Sequence, residues 1–269
     1  MAKGRIRIGV GGWTFEPWRG TFYPEGLAQK RELEYAAGKL TSIEINGTYY
    51  GSQKPESFRK WHDETPDDFV FALKGPRFTT NRRVLAEAGE SVRRFLDSGI
   101  LELKDKLGPI NWQFAGTKKF DPADFEAFLK LLPHEHGGRA LRHAVEVRHE
   151  SFRDPDFVAL ARQHGVAIVL AGDTDEFPQI TDPTADFIYA RIMGTKEDEE
   201  LGYPARALTA WAARAQAWAA GEPPKGLAPP SGAPDKMRPR DVFLYVISGF
   251  KPRNPAAAMA LIGKASKSA

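Results

Sequence analysis

Short runs of β-branched and aliphatic residues recur along this chain, and most are followed by stretches whose apolar positions fall three and four residues apart. The runs are "RIRIGV" (5–10), "TSIEIN" (41–46), "DFVFALK" (68–74), "INWQF" (110–114), "HAVEVR" (143–148), "VAIVLA" (166–171), "DFIYARI" (186–192) and "DVFLYVI" (241–247). Their length and composition predict buried strands, and the spacing between them predicts amphipathic helices. "FDPADFEAFLKLL" and "RDPDFVALARQHG" both carry Asp-Pro at the start, a capping side chain followed by a residue already shaped for the first helical turn. Eight strands alternating with helices, with no break in composition, predict an α/β fold: one (β/α)8 TIM-type barrel domain over 1–269. Two places depart from the repeat. The segment Gly172–Ala185 is acidic and holds two prolines, so the helix after strand six is expected to be missing or vestigial. The Pro/Gly-rich stretch 221–241 is longer than most connections in compact domains and is expected to be an exposed, partly mobile insertion at the N-terminal face, before the last strand.

The alternation within strands then raises a chemical question. In "AVEVRHESF" (144–152), Ala144, Val145 and Val147 suit a core strand, while Glu146, Arg148 and His149 do not, because unpaired charge is expensive to bury. A barrel resolves this, since its functional groups gather at the C-terminal ends of its strands. Strand one ends in Gly11-Gly12-Trp13, strand two in Glu44 and Asn46, strand three in Lys74 and strand four in Gln113. Strand five ends in Glu146, Arg148 and His149, strand six runs into Asp173, strand seven holds Arg191 and strand eight reaches Ser248. Glu44 and Asn46 are two apart, as are Glu146 and Arg148, so each pair projects to one face of its strand while Ile45 and Val147 face the helices. The same residues could instead neutralise one another as an inert buried network, as Glu146 with Arg148 could; eight polar residues gathered at the strand ends favour a working mouth.

Composition narrows the classes of function. The chain has no cysteine, which excludes disulfides, thiolate catalysis and cysteine-held zinc or iron–sulfur sites. A formal charge of +3 is close to balance, so a broad nucleic-acid face is not favoured, although "KGPRFTTNRR" (74–83) leaves room for a local anion site. No stretch approaches the roughly 20 apolar residues of a membrane span, and no signal-like apolar segment precedes the first strand. The expectation is a soluble, cytoplasmic protein with no membrane partner, its oligomeric state open and a monomer the default for a barrel.

Several segments also resemble those of the DUF72, or YecE-like, family: "IGVGGWTFEPWRGTFYP" (8–24), "SIEINGTYY" (42–50), "FALKGPRFTT" (71–80), "LGPINWQF" (107–114), "AVEVRHESF" (144–152) and "TADFIYARIMG" (184–194). They appear in family order over nearly the whole chain. The resemblance implies a TIM-barrel fold and recurring polar positions at Trp13, Glu44, Asn46, Tyr50, Lys74, Gln113, Glu146, Arg148, His149, Asp173 and Arg191, but no particular reaction. Where the family ends strand eight in an Asn-bearing "FNN"-like run, this chain has Ser248 and Gly249.

Three kinds of chemistry fit these residues. The first is an enzyme, of hydrolase or lyase type, acting on a small anionic substrate that is phosphorylated or carboxylated. Glu44 and Glu146 would serve as base and acid, His149 and Asp173 would assist, and Lys74, Arg148 and Arg191 would converge on the anion. Trp13, Asn46, Tyr50 and Gln113 would complete the binding surface, and Lys74 is alternatively a Schiff-base nucleophile. The second is a divalent-metal phosphodiesterase or nuclease holding its ion with Glu44, Glu146, His149 and Asp173; nearby Lys74 and Arg148 oppose a cation, so no metal site is assigned and no cofactor is identified. The third is a non-catalytic ligand-binding barrel. Weaker signals read as structure: "GVGG" (9–12) as a tight turn and not a dinucleotide fingerprint, "HEHGGRALRH" (134–143) as a solvated loop, and Trp211 with Trp218 as a core-facing stripe.

Overall fold

In the computed structural model, which describes residues 2–227 and 237–266, eight parallel strands close into a barrel. They are β1 (Ile6–Gly11), β2 (Ser42–Ile45), β3 (Val70–Lys74), β4 (Leu107–Gln113), β5 (His143–Glu146), β6 (Ala167–Gly172), β7 (Phe187–Ile192) and β8 (Asp241–Val246). Each pairs with its sequence neighbours, and β1 closes the ring on β8 from Ile6 opposite Val242 to Val10 opposite Val246. The expected TIM-type barrel is therefore the fold. The main helices are α1 (Glu32–Ala37), α2 (Pro55–Asp63), α3 (Gly89–Leu96), α4 (Pro122–Leu129), α5 (Pro155–Gln163), α6 (Ala205–Ala220) and α7 (Asn254–Ser266). Both Asp-Pro starts work as anticipated. Asp121 accepts hydrogen bonds from the Ala123 and Asp124 N–H groups, and Asp154 accepts from Asp156, satisfying donors that a helix start leaves open.

Between β6 and β7 no helix forms, and the chain crosses as bends and extended backbone. The stretch "HEHGGRALRH" is more ordered than a solvated loop: Glu135–His136 pairs antiparallel with Arg139–Ala140 around Gly137 and Gly138, both at positive φ. Residue spacing alone missed this hairpin because its strands are two residues long. His143 at its end is buried, accepts from the Trp112 indole N–H at 3.1 Å and faces the Pro133 carbonyl at 2.8 Å. The expected insertion 221–241 lies partly outside the described residues, at 228–236; Gly221 at φ +78° ends α6 before it. Among the described residues, no helix is long and apolar enough to cross a membrane.

Two apolar clusters follow from strand alternation. Outward residues such as Ile43, Ile45, Trp112, Val145 and Val147 pack with the helices, including Trp211 and Trp218 of α6. Inside the barrel, Ala72, Ala144 and Ala167 oppose Phe187, Tyr189, Phe243 and Tyr245. Small residues on one side leave room for rings on the other, which fills the lumen at solid-like density. Above these rings, toward the C-terminal ends, the interior turns from apolar to charged.

Candidate active site

The charged layer is built on the barrel register. Gly11 lies opposite Glu44 across β1 and β2, Gln113 opposite Glu146 across β4 and β5, and Arg191 opposite Ala171 across β6 and β7. Glycine and alanine at these crossings leave the lumen open to the long side chains. Arg191 reaches both carboxylates: its Nη1 lies 2.6 Å from Glu146 Oε2 and its Nη2 lies 3.0 Å from Glu44 Oε1. Glu44 also accepts from the Tyr189 hydroxyl at 2.5 Å, and Glu146 from Asn111 Nδ2 at 3.0 Å. Arg148 closes on Glu146 Oε1 through Nε at 3.1 Å and Nη2 at 2.8 Å. Glu44 and Glu146 are 0% and 1% exposed, a depth at which a carboxylate survives only when its lone pairs are met by charge and hydrogen bonds. Burial pushes the Glu146 carboxyl up, but Arg191, Lys74 and Arg148 outweigh it and hold the group at about 2. Burial also works against the Arg191 charge, and the two glutamates prevail and keep it protonated.

Lys74 is the exception in this layer. It is buried, yet its amine donates to the Gln113 side-chain carbonyl and not to either carboxylate. Gln113 in turn donates to the Tyr49 hydroxyl at 3.2 Å, and the Tyr49 ring lies 4.5 Å from the ammonium. Burial, reinforced by the Arg191 charge, lowers Lys74 to about 8 despite the opposing pull of Glu146 and Glu44. The local chain holds this arrangement in place. After β2 the backbone turns at Asn46 into one helical turn, Gly47–Tyr50, and Thr48 Oγ1 donates to the Lys74 carbonyl at 2.7 Å. That turn carries Tyr49 inward and leaves Tyr50 outward, 70% exposed beside Arg77.

The mouth opens as a hollow of about 390 Å³, walled by Lys74, Gln113, Arg148, Asn46, Tyr49 and Lys251, with Arg191 and Tyr50 also contributing. A second hollow of about 280 Å³ adjoins it around Trp13 and Trp61, sharing Gly11, Asn46 and Lys251. Lys251 enters because β8 is followed by two residues in the left-handed region, Ser248 at φ 57° and Gly249 at φ 59°. A Cβ on Gly249 would lie 2.6 Å from the Thr195 carbonyl oxygen, so only glycine fits there. The turn sets the Lys251 ammonium 4.1 Å from the Phe15 ring, and burial lowers its pKa. Asn254, which accepts from Thr195 Oγ1 at 2.8 Å, also borders the larger hollow.

Of the residues anticipated from sequence, Glu44, Lys74, Gln113, Glu146, Arg148 and Arg191 meet in one connected array, with Asn46 and Tyr50 on its rim and Trp13 in the adjoining hollow. His149 and Asp173 lie elsewhere. His149 Nδ1 accepts from the Ser151 N–H at 3.1 Å and pairs with Ser151 Oγ at 2.9 Å, capping the turn Glu150–Phe152. Asp173, at φ 57°, turns toward the helix layer and accepts from the Trp211 indole at 2.7 Å. Burial raises its carboxyl, while hydrogen bonds from Trp211 and Tyr203 pull the other way. Glu44, Glu146, His149 and Asp173 thus do not assemble as a ligand set, and among the described residues no group of three or more acidic or histidine side chains is placed to hold a metal. Sequence reading missed Tyr49, Asn111, Tyr189 and Lys251. Asn111 was legible, being two residues before Gln113 on the same strand face; Tyr189 was likewise two before Arg191.

Comparison with known proteins agrees with this architecture. The sequence profile "Protein of unknown function DUF72" matches residues 7–266. The UPF0759 protein YecE of Escherichia coli K12 is 31% identical over 150 residues, 55% of this chain and 50% of that protein. YunF of Bacillus subtilis, also a UPF0759 protein, is 25% identical over 158 residues, 56% of this chain and 54% of its own. The aligned region thus spans about half the length of these curated relatives. In three dimensions, a DUF72 family protein from Thermotoga maritima superposes with a TM-score of 0.70 at 23% identity, covering 97% of this chain and 98% of that one. One from Enterococcus faecalis gives 0.68 at 16% identity, with 98% of each chain covered. With its family profile matched from β1 to the end of α7, the chain belongs to the DUF72 family.

Proposed function

We propose that this barrel is an enzyme acting on a small anionic substrate at the strand-end hollow, with the Lys74 amine as the proton-accepting group. One observation carries the reading: Lys74 is a buried amine bordering the hollow, free of carboxylate hydrogen bonds and lowered to about 8. An amine in that range is partly neutral near physiological pH and able to take a proton, as the ideal general base is. Glu44 and Glu146 suit a different role from the acid–base pair anticipated for them. Every contact they make is to a donor, and Glu146 stays ionised at any physiological pH. They set the electrostatics of the layer: Arg191 is held by both of them, and Arg148 is half-released, touching Glu146 with one edge while its side chain remains 26% exposed. Even with Lys74 neutral, the Arg148, Arg191 and Lys251 cations around the hollow exceed the two carboxylates, which favours an anion. A phosphorylated or carboxylated molecule would dock against Arg148 and Lys251, leaving Lys74 to draw a proton from its reacting atom.

The test is a panel of phosphate esters and hydroxy or oxo acids assayed for turnover between pH 6 and 9. The expected kcat/KM rises through about pH 8, the free-enzyme Lys74 value, and falls at least roughly 100-fold in Lys74→Met, the lower range for losing a general base. Full turnover by Lys74→Met on an accepted substrate refutes the assignment.

A further inference from the structure

We infer that the hollow around Trp13 and Trp61 is a second subsite, so that the ligand of this barrel is an anion carrying a flat ring. This rests on the reading of the larger hollow as an anion site and adds the part of the ligand that reading leaves undefined.

The two hollows meet along a shared wall of Gly11, Asn46 and Lys251, and their chemistry differs sharply on either side. One side holds Lys74, Arg148 and Gln113; the other holds two indoles, the Gln53 amide and backbone. Trp13 and Trp61 meet edge to face at 5.2 Å, and Trp61 leans on Phe58 at 5.2 Å in the same way. Trp13 is further fixed by the Tyr23 hydroxyl, which donates to its carbonyl at 2.5 Å. Both indoles pack against the core on one side and remain partly exposed on the other. Rigid, half-exposed aromatic surface beside a charged site is a recognition surface, because covering it with an apolar ring removes it from water.

Glycines on its lining keep this hollow open. Gly12, at φ +75°, has no atom within 4 Å of where a Cβ would stand, and a Cβ on Gly47 would meet nothing nearer than Gln53 Nε2 at 3.6 Å. A Cβ on Gly11, which lines both hollows, would lie 2.8 Å from Asn46 Nδ2 and 3.2 Å from Ile247 Cγ2, so a larger residue there would crowd the shared wall. A volume of about 280 Å³ accepts a single or fused ring system, and the two hollows together reach the range of small-molecule sites. Lys251, on the shared wall, would pair with the anion at the junction while the ring lies against Trp13 and Trp61, with Gln53 and Asn46 supplying amide groups for polar atoms on the ring edge.

The experiment compares methyl phosphate with phenyl phosphate, equal in anionic group and different in the ring, by titration calorimetry with the indole fluorescence followed in parallel. Phenyl phosphate is expected to bind at least tenfold tighter and to shift the fluorescence. Gly47→Leu, which fills the hollow from its rim without touching the core, should reduce phenyl phosphate to the affinity of methyl phosphate and leave methyl phosphate unchanged, and Trp13→Leu should likewise remove the preference for phenyl phosphate. Equal binding of the two probes by the unaltered protein overturns the ring subsite while the anion site stands. So does a preference for phenyl phosphate that survives Gly47→Leu. Failure of both probes to bind removes the anion reading and this inference with it.

Discussion

Replacing Arg191 with Met removes one cation from between two buried carboxylates and tests the electrostatic frame of the site. Arg191 holds Glu146 at 2.6 Å and Glu44 at 3.0 Å, and none of the three side chains is more than 5% exposed. Removing one partner of such a pair costs about 3–5 kcal/mol. The depressed Glu146 carboxyl points the same way. Glu146 is held from 4.5 down to about 2, and a shift of that size corresponds to roughly 3 kcal/mol at neutral pH, with Arg191 the largest of the opposing charges. In a domain of this size the variant should melt roughly 6–20 °C lower at pH 7. The pH dependence fixes the cause. In the native protein the folded Glu146 value is depressed, so its contribution is full above the unfolded value near 4.5 and is lost only as pH falls toward 2. Without Arg191 the burial effect gains ground and the Glu146 carboxyl rises. Its contribution to stability is then greatest when protonated and is lost as pH rises through the new folded value. The deficit of Arg191→Met relative to the native protein should therefore shrink between pH 8 and pH 5. Calorimetric melts of both proteins over that range measure it. A deficit under about 1 kcal/mol, or one that stays constant from pH 8 to pH 5, refutes the argument.

The other predictions divide the site from its surroundings. Because the folded Lys74 value lies below its unfolded one, the native protein should gain up to about 3 kcal/mol as pH rises from 8 to 10.5, a gain missing from Lys74→Met; urea unfolding at several pH values reads it. An oxo acid followed by borohydride should leave no covalent adduct on Lys74; an oxo acid trapped there would show that the amine works as a Schiff-base nucleophile and not as a base. His149→Ala should lower stability by about 1 kcal/mol through loss of its cap on Ser151 and leave methyl phosphate binding unchanged; a weakened affinity would return His149 to the site. Trp211→Phe removes the 2.7 Å donor to the Asp173 carboxyl, which keeps Tyr203, and should cost about 1 kcal/mol through that hydrogen bond with no change in probe binding.

The barrel was legible in the residues because strand and helix have local periods, and eight repeats of them leave few ways to bury every apolar face. The polar strand ends were legible for the same reason: Glu44, Glu146 and Arg191 sit at positions that alternation turns inward, whatever they meet there. Local pattern also marked the missing helix after β6, where Pro178 and Pro183 interrupt any helical run. What the side chains meet depended on closure of the ring. Glu44 and Arg191 are 147 residues apart, and only the register of strands β2, β1, β8 and β7 brings their charged ends to 3.0 Å. The same closure ties both glutamates to Arg191 and leaves Lys74 without a carboxylate, a division of roles that no single strand encodes. Asp173 illustrates the limit most plainly. One residue beyond β6, at φ 57°, its backbone leaves the strand alternation, so its side chain joins Trp211 in the helix layer while its position in the sequence still matches the other strand ends. The chain by itself determined which strand positions turn inward at the mouth of the barrel; the closed structure alone decided which of those charges pair with one another and which do not, because Coulomb energies in a buried site are set by distances that only the folded ring defines.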